Sequence, residues 1–196
     1  MIPDPIIIAG CPRSGTSLTA GVIHACGAFV GEYQVWPDNA RGTFENLRVL
    51  SLLHRRWNKS LNPADELRNE LFRQGYKAGP WLIKLSGNML LDKWIYARNM
   101  FPGSFWVIVQ RNKKDIMASH QARDDKTAMH RIRQSVLTLS LIKHNTGLRW
   151  REVWPQKIID GDFREMKKVV KWLGLSWNKR AVDAFVDPDL WHHGLV

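Results

Sequence analysis

The segment Gly10-Cys11-Pro12-Arg13-Ser14-Gly15-Thr16-Ser17 carries residue types at a spacing that can bind an anion. It follows an apolar run, Ile6-Ile7-Ile8-Ala9, and opens a stretch with helical periodicity. A loop in that position aims backbone N–H groups and a helix N-terminus at one point, which suits phosphate. The glycine spacing is that of a P-loop, G-x-x-x-x-G, but Thr16 stands where a nucleotide phosphohydrolase needs lysine. Without that lysine the loop lacks the cation that reaches the β- and γ-phosphates, and Arg13 offers a different one. The plainer reading is a glycine-rich turn with no ligand. The flanking strand and helix favour an anion site, and an Mg-ATP hydrolase is the poorer version of it.

A second constellation lies downstream. The apolar run Phe105-Trp106-Val107-Ile108-Val109 leads into Arg111-Asn112-Lys113-Lys114-Asp115, and Ser119 follows eight residues after Arg111. An arginine at the carboxyl end of a parallel strand points into the crevice where open α/β sheets bind ligands. A serine two helical turns further on can return to that crevice, and the two together can clasp a phosphate. Taken alone, an arginine and a serine at this spacing mean nothing.

In order and spacing these stretches resemble sulfotransferases that use 3′-phosphoadenosine 5′-phosphosulfate (PAPS), the small bacterial and tyrosylprotein types in particular. Ile8 to Ser17 resembles their 5′-phosphosulfate loop, which also lacks the Walker lysine and carries a Lys or Arg before Ser-Gly-Thr. Arg111 to Ser119 resembles their 3′-phosphate motif, with Gln110 and Lys113 departing from the usual residues. Trp81-Leu82-Ile83-Lys84 resembles the Lys-Asp-Pro segment, but Leu85-Ser86 replaces Asp-Pro, so only the lysine carries over. Ile158 to Phe163, with 169–175 and Trp177, resembles a late element that packs the fold.

The resemblance implies sulfuryl transfer from PAPS to a hydroxyl or amine, leaving adenosine 3′,5′-bisphosphate (PAP), with no metal. It assigns Arg13, Ser14, Gly15, Thr16 and Ser17 to the 5′-phosphosulfate, and Arg111 and Ser119 to the 3′-phosphate. Lys84 becomes the cation on the transferring sulfonate, or else a snorkelling surface lysine. The acceptor must lose a proton to a nearby base. Glu32, after Gly31, and Glu45, in Asn39-Ala-Arg-Gly-Thr-Phe-Glu45, both resemble family glutamates; Glu45 is preferred for its loop-to-helix context. His24 and His120 are weaker candidates, since a helical histidine is more often structural. Trp36 and Trp57 flank the Glu45 region and are candidates for lining an acceptor pocket, and His192-His193 has no partner at ligand spacing.

The elements that must position these residues read as one α/β domain over 1–196, with a central, mostly parallel sheet flanked by helices. Strands are expected at 5–10, 81–85, 104–110 and, as a short fourth, 157–160. Helices are expected at 16–26, 44–59, 62–75, 88–100, 115–121 and 128–145. A last one is expected at 163–173, capped by Asp162 and closed by Gly174.

The chain has 196 residues and is 44% apolar and 24% charged, ordinary for a globular domain, which excludes disorder and coiled coil. No apolar run is long enough to span a bilayer, no secretion signal is visible, and two cysteines are too few for a disulfide framework. A cytoplasmic setting is the expectation.

Twenty-nine Lys and Arg against eighteen Asp and Glu give +11, with ten cations against three acids between 111 and 151. That balance points to an anionic partner, or to solvated helix faces. A P-loop kinase or other nucleotide-binding enzyme is the alternative function. A nucleic-acid-binding protein is a weaker one, since no helix-turn-helix, zinc or RNP-like motif supports it. The acceptor class stays open among small molecules, carbohydrates and peptides. The short chain leaves little room for an acceptor domain, which suggests an open cleft or a homo-oligomer.

Overall fold

The computed structural model describes residues 2–36, 39–53, 63–121 and 127–190. Strand β1 (Ile6–Gly10) is buried at every position because it sits inside a four-stranded sheet of order β2-β1-β3-β4. Its neighbours are β2 (Leu82–Ser86) and β3 (Phe105–Val109), and β4 (Arg149–Val153) closes the far edge. All pairings are parallel, with Ile6 opposite both Leu82 and Phe105, and Phe105 opposite Arg149. The carboxyl ends Gly10, Ser86, Val109 and Val153 therefore line up along one rim. The chain passes from β1 to β2 on one side and then to β3 on the other. That makes the β1/β3 gap a switch point, where open α/β sheets bind ligands.

The connecting helices are α1 (Thr16–Ala25), α2 (Leu47–Leu52), α3 (Pro63–Arg73), α4 (Asn88–Met100), α5 (Lys113–Gln121) and α6 (Ala128–His144). After β4 come α7 (Pro155–Ile159), α8 (Arg164–Trp172), α9 (Lys179–Phe185) and a 3-10 turn, Pro188–Leu190. Strand side chains alternate between two cores. Ile6, Ile8, Val107, Val109 and Val153 pack with α1, α8 and α9 through Val22, Ile23, Val169, Val170 and Val182. Ile7, Ala9, Ile83, Leu85 and Ile108 pack on the opposite face with Leu50, Leu71, Leu90, Ile116 and Ile142. Both faces are covered, which is why the strands read as continuous apolar runs. Among the described residues no helix is long and apolar enough to cross a membrane.

Two expectations fail. The fourth strand is not 157–160 but β4 at Arg149–Val153, and Lys157 lies inside helix α7, with Pro155 at its first turn. β4 is an edge strand with only Val153 buried, so it lacks the apolar run that marks the other three. Its arginines instead lie over rings: Arg149 is 4.0 Å from the Phe105 centroid and Arg151 is 5.2 Å from that of Trp172.

Asp162 does not cap α8 either, for Phe163 holds the N-cap position. Asp162 accepts from the Arg164 backbone N–H at 3.0 Å and pairs with its guanidinium. Helix α2 starts later than expected, at Leu47, and the remainder of 44–59 beyond Leu53 lies outside the described residues. Gly174 does end α8 as expected, at φ 74°, with its N–H on Lys171 O and that of Leu175 on Val170 O.

Candidate functional site

The phosphate loop turns directly out of buried β1. Ser14 is fully buried, and its hydroxyl and backbone N–H both donate to Cys11 O, at 2.8 and 3.2 Å. Ser14 therefore braces the loop from inside. Gly10 is required by close approach, since a Cβ there would sit 2.6 Å from Thr16 Cγ2 and 2.7 Å from Ser14 Oγ. Arg13 adopts φ 66° and Gly15 φ 94°, and Gly15 caps α1 with no side-chain hydrogen bond. The first-turn N–H groups of α1 thus have no cap side chain to meet them. The backbone strain at a non-glycine residue, Arg13, falls in this same loop. Cys11 is buried there, and desolvation pushes its thiol up to about 11, so it stays protonated.

The second constellation meets the first. Arg111 donates from Nη1 to Arg13 O at 2.9 Å, and Arg13 Nε donates to Ser119 Oγ at 3.0 Å. Ser119 is buried on α5, and burial lowers the Arg111 pKa without neutralising a guanidinium. Beside them opens a cavity of about 340 Å³ between the loop, the end of β3, α5 and α6. Cys11, Ser14, Gln110, Arg111, Lys113 and Lys143 are among its lining. His120, next to Ser119, is buried within α5, and His24 bonds Ala28 O through Nδ1 at 2.8 Å.

A third cluster lies at the end of β2. Lys84 is 4% exposed, and its ammonium donates to Thr43 O at 2.7 Å and Ser17 Oγ at 2.9 Å, and pairs with Glu45 Oε1 at 3.1 Å. Desolvation lowers the Lys84 pKa; Glu45 opposes that shift and the Arg13 charge adds to it. Ser86 donates to the same Glu45 oxygen at 2.8 Å, and Asn39 donates to Ser17 Oγ at 3.3 Å. Glu45 is placed just ahead of α2, whose N-cap Asn46 is buried, accepts from Val49 N–H and donates to Val30 O.

Glu32 is elsewhere, in an exposed ion cluster with Arg73 and Arg48, each at 3.4 Å. Trp36 is half exposed and accepts at its carbonyl from the Asn39 N–H, while Trp57 and His192-His193 lie outside the described residues. Sequence reasoning passed over Ser86, Asn39 and Thr43. A polar residue opposite Gly10 at the buried end of β2 was the available signal for Ser86. Among the described residues no group of three or more His, Cys, Asp or Glu is disposed to hold a metal ion.

The fold is that of sulfotransferase domains. The sulfotransferase domain of a Synechococcus olefin synthase aligns with a TM-score of 0.64 over 97% of this chain and 80% of its own, at 16% identity. A Mycobacterium tuberculosis sulfotransferase aligns with a TM-score of 0.61 over 94% of this chain and 71% of its own, at 14% identity. No protein-family model and no curated protein sequence matches the chain.

Proposed function

We propose that the protein is a sulfotransferase that takes its sulfuryl group from PAPS and passes it to a hydroxyl or amine. What carries this reading is the join between the loop after β1 and the Arg111–Ser119 pair after β3, made by the Arg13 bonds at 3.0 and 2.9 Å. That join brings two cationic clusters together at one switch point, which supports a nucleotide phosphorylated at both 3′ and 5′ positions as the ligand. Arg13, the N–H groups at Gly15 to Ser17 and the α1 N-terminus would hold the 5′-phosphosulfate. Arg111 and Ser119 would hold the 3′-phosphate, and the adjoining cavity has room for part of the nucleoside.

When bound, the donor supplies a sulfur centre that undergoes in-line transfer: the acceptor oxygen bonds to sulfur as the sulfur–phosphate-oxygen bond breaks, its electron pair leaving on PAP. Glu45 takes the acceptor proton. Lys84 and the loop N–H groups face the developing negative charge, where preorganised donors are the main catalytic device. Glu32 is set aside as base because it stands in an exposed ion cluster with Arg73 and Arg48 and, among the described residues, makes no bond to Lys84 or the loop after β1. Buried free thiols at Cys11 and Cys26 fit a reducing, cytoplasmic setting. A small-molecule, carbohydrate or peptidyl acceptor all suit the site.

Thermal unfolding with PAP, AMP and Mg-ATP at equal concentration tests the reading. A ligand at a hundred times its Kd adds about 2.7 kcal/mol, roughly 5–10 °C in Tm at this size. PAP alone is expected to give that shift. An equal shift with AMP removes the 3′-phosphate assignment, and a shift only with Mg-ATP makes the protein kinase-like.

A further inference from the structure

The end of β2 holds more than the lysine that the transfer chemistry calls for. An ammonium has three N–H donors, and all three of Lys84's are engaged: on Ser17 Oγ, Thr43 O and Glu45 Oε1, at 2.9, 2.7 and 3.1 Å. Lys84 can reach a sulfonate only by giving up one of these partners. Two of them, Ser17 in the first turn of α1 and the Thr43 carbonyl ahead of α2, frame the site. The third is the carboxylate, and it has a second anchor in Ser86, whose hydroxyl donates to the same Oε1 at 2.8 Å. Among the described residues neither a hydrogen bond nor an ion pair reaches Glu45 Oε2. The Glu45 backbone is fixed as well, through its N–H on Thr43 Oγ1 at 3.3 Å and through the buried cap Asn46 that follows it.

We infer that Ser86 is a positioning residue for Glu45: it holds Oε1 so that Oε2 faces the acceptor, and keeps holding it when Lys84 turns toward the sulfonate. The inference rests on the sulfotransferase reading. A hydroxyl suits the task because it donates without adding charge, so Glu45 stays an acceptor for the incoming proton. Lys84 on β2 is the charged group paired with Glu45, and the Arg13 charge in turn acts on Lys84. Register places Ser86 beside Gly10 at the carboxyl end of the sheet.

The experiment compares the wild-type protein with Ser86→Ala and Ser86→Thr in three measurements. They are the Tm shift given by PAP, the carboxyl 13C chemical shift of labelled Glu45 by NMR at neutral pH without ligand, and transfer kinetics with a surrogate phenol acceptor. In Ser86→Ala the PAP shift is expected to stay as in wild type. The Glu45 carboxyl resonance is expected to move, because one of its hydrogen bonds is lost. With it, kcat should fall about 10- to 100-fold at unchanged donor KM.

Ser86→Thr keeps the hydroxyl and is expected to restore both the resonance and kcat. A Glu45 carboxyl resonance indifferent to Ser86, in protein that still binds PAP, overturns the positioning role alone. Parallel loss of PAP binding and kcat in Ser86→Ala also overturns it, because the residue would then be supporting the loop. A wild-type protein that gives no PAP shift overturns the donor reading and this inference with it, whatever Glu45 does.

Discussion

At the scale of single residues, two cations in this site have been taken out of water, and each has a measurable consequence. Arg111 spends one N–H on Arg13 O, and burial lowers its pKa. On the proposed reading its guanidinium is the 3′-phosphate ligand. Arg111→Ala is expected to weaken PAP by about 2–3 kcal/mol, the scale of a charge-assisted hydrogen bond, and AMP by much less. Isothermal titration with both ligands checks this, and equal losses would mean that the arginine only supports the loop.

Lys84 makes a prediction in pH. Its folded pKa lies below the ordinary 10.5, so between that lowered value and 10.5 the unfolded chain holds more protons than the folded one. The lysine's burden on stability is complete below the folded pKa and is relieved as pH rises toward 10.5. Urea unfolding of wild type and Lys84→Met from pH 7 to 10 should show the wild type gaining on the variant as pH rises. The raised Cys11 thiol is common to both proteins and cancels. A difference independent of pH would show that the Lys84 pKa is not depressed.

At the scale of elements, the site depends on short pieces held by caps and close contacts. Asn46 is the clearest case: it caps α2, donates to Val30 O at 3.0 Å and to Gln74 Oε1 at 2.6 Å, and immediately follows Glu45. Asn46→Ala is expected to cost about 2–3 kcal/mol, a lost cap together with a carbonyl left buried without its donor. Urea unfolding measures that, and less than about 1 kcal/mol would mean that water replaces the side chain.

Three of the four strands and the placement of the phosphate loop were legible in the sequence because buried parallel strands announce themselves as apolar runs. β4 was not, because an edge strand stabilised by arginines on aromatic rings has no such run, and 157–160 looked more strand-like than it is. Arg111 and Ser119 were legible as a spaced pair. Their bonds to Arg13 were not, because a contact across 98 or 106 residues has no local trace. Ser86 was visible only as a departure from a motif, since its role depends on where the backbone brings Glu45.

At the scale of the whole molecule, the charge of +11 exceeds what the site uses. Arg149 stands at the start of β4, the end of the sheet opposite the ligand rim, and Lys168 and Lys171 are exposed on α8, which packs beside that strand. Arg149 is at the opposite end of β4 from Val153, and the field of these three cations adds to that of Arg13 and Arg111. Fields of this kind act on encounter: they raise the local concentration of an anion and its association rate, and are screened beyond a Debye length of about 8–10 Å at physiological salt. A donor bearing phosphates at both ends should therefore bind with an association rate that falls about tenfold between 20 and 300 mM NaCl, while its dissociation rate changes little. Stopped-flow fluorescence with PAP would read both rates through the protein's tryptophans. Lys168→Glu with Lys171→Glu should lower the association rate about two- to threefold and leave dissociation untouched, since it changes the field and none of the contacts. If the double variant instead speeds dissociation, α8 lies close enough to be part of the site. If the association rate ignores salt, the excess charge serves some partner other than the donor.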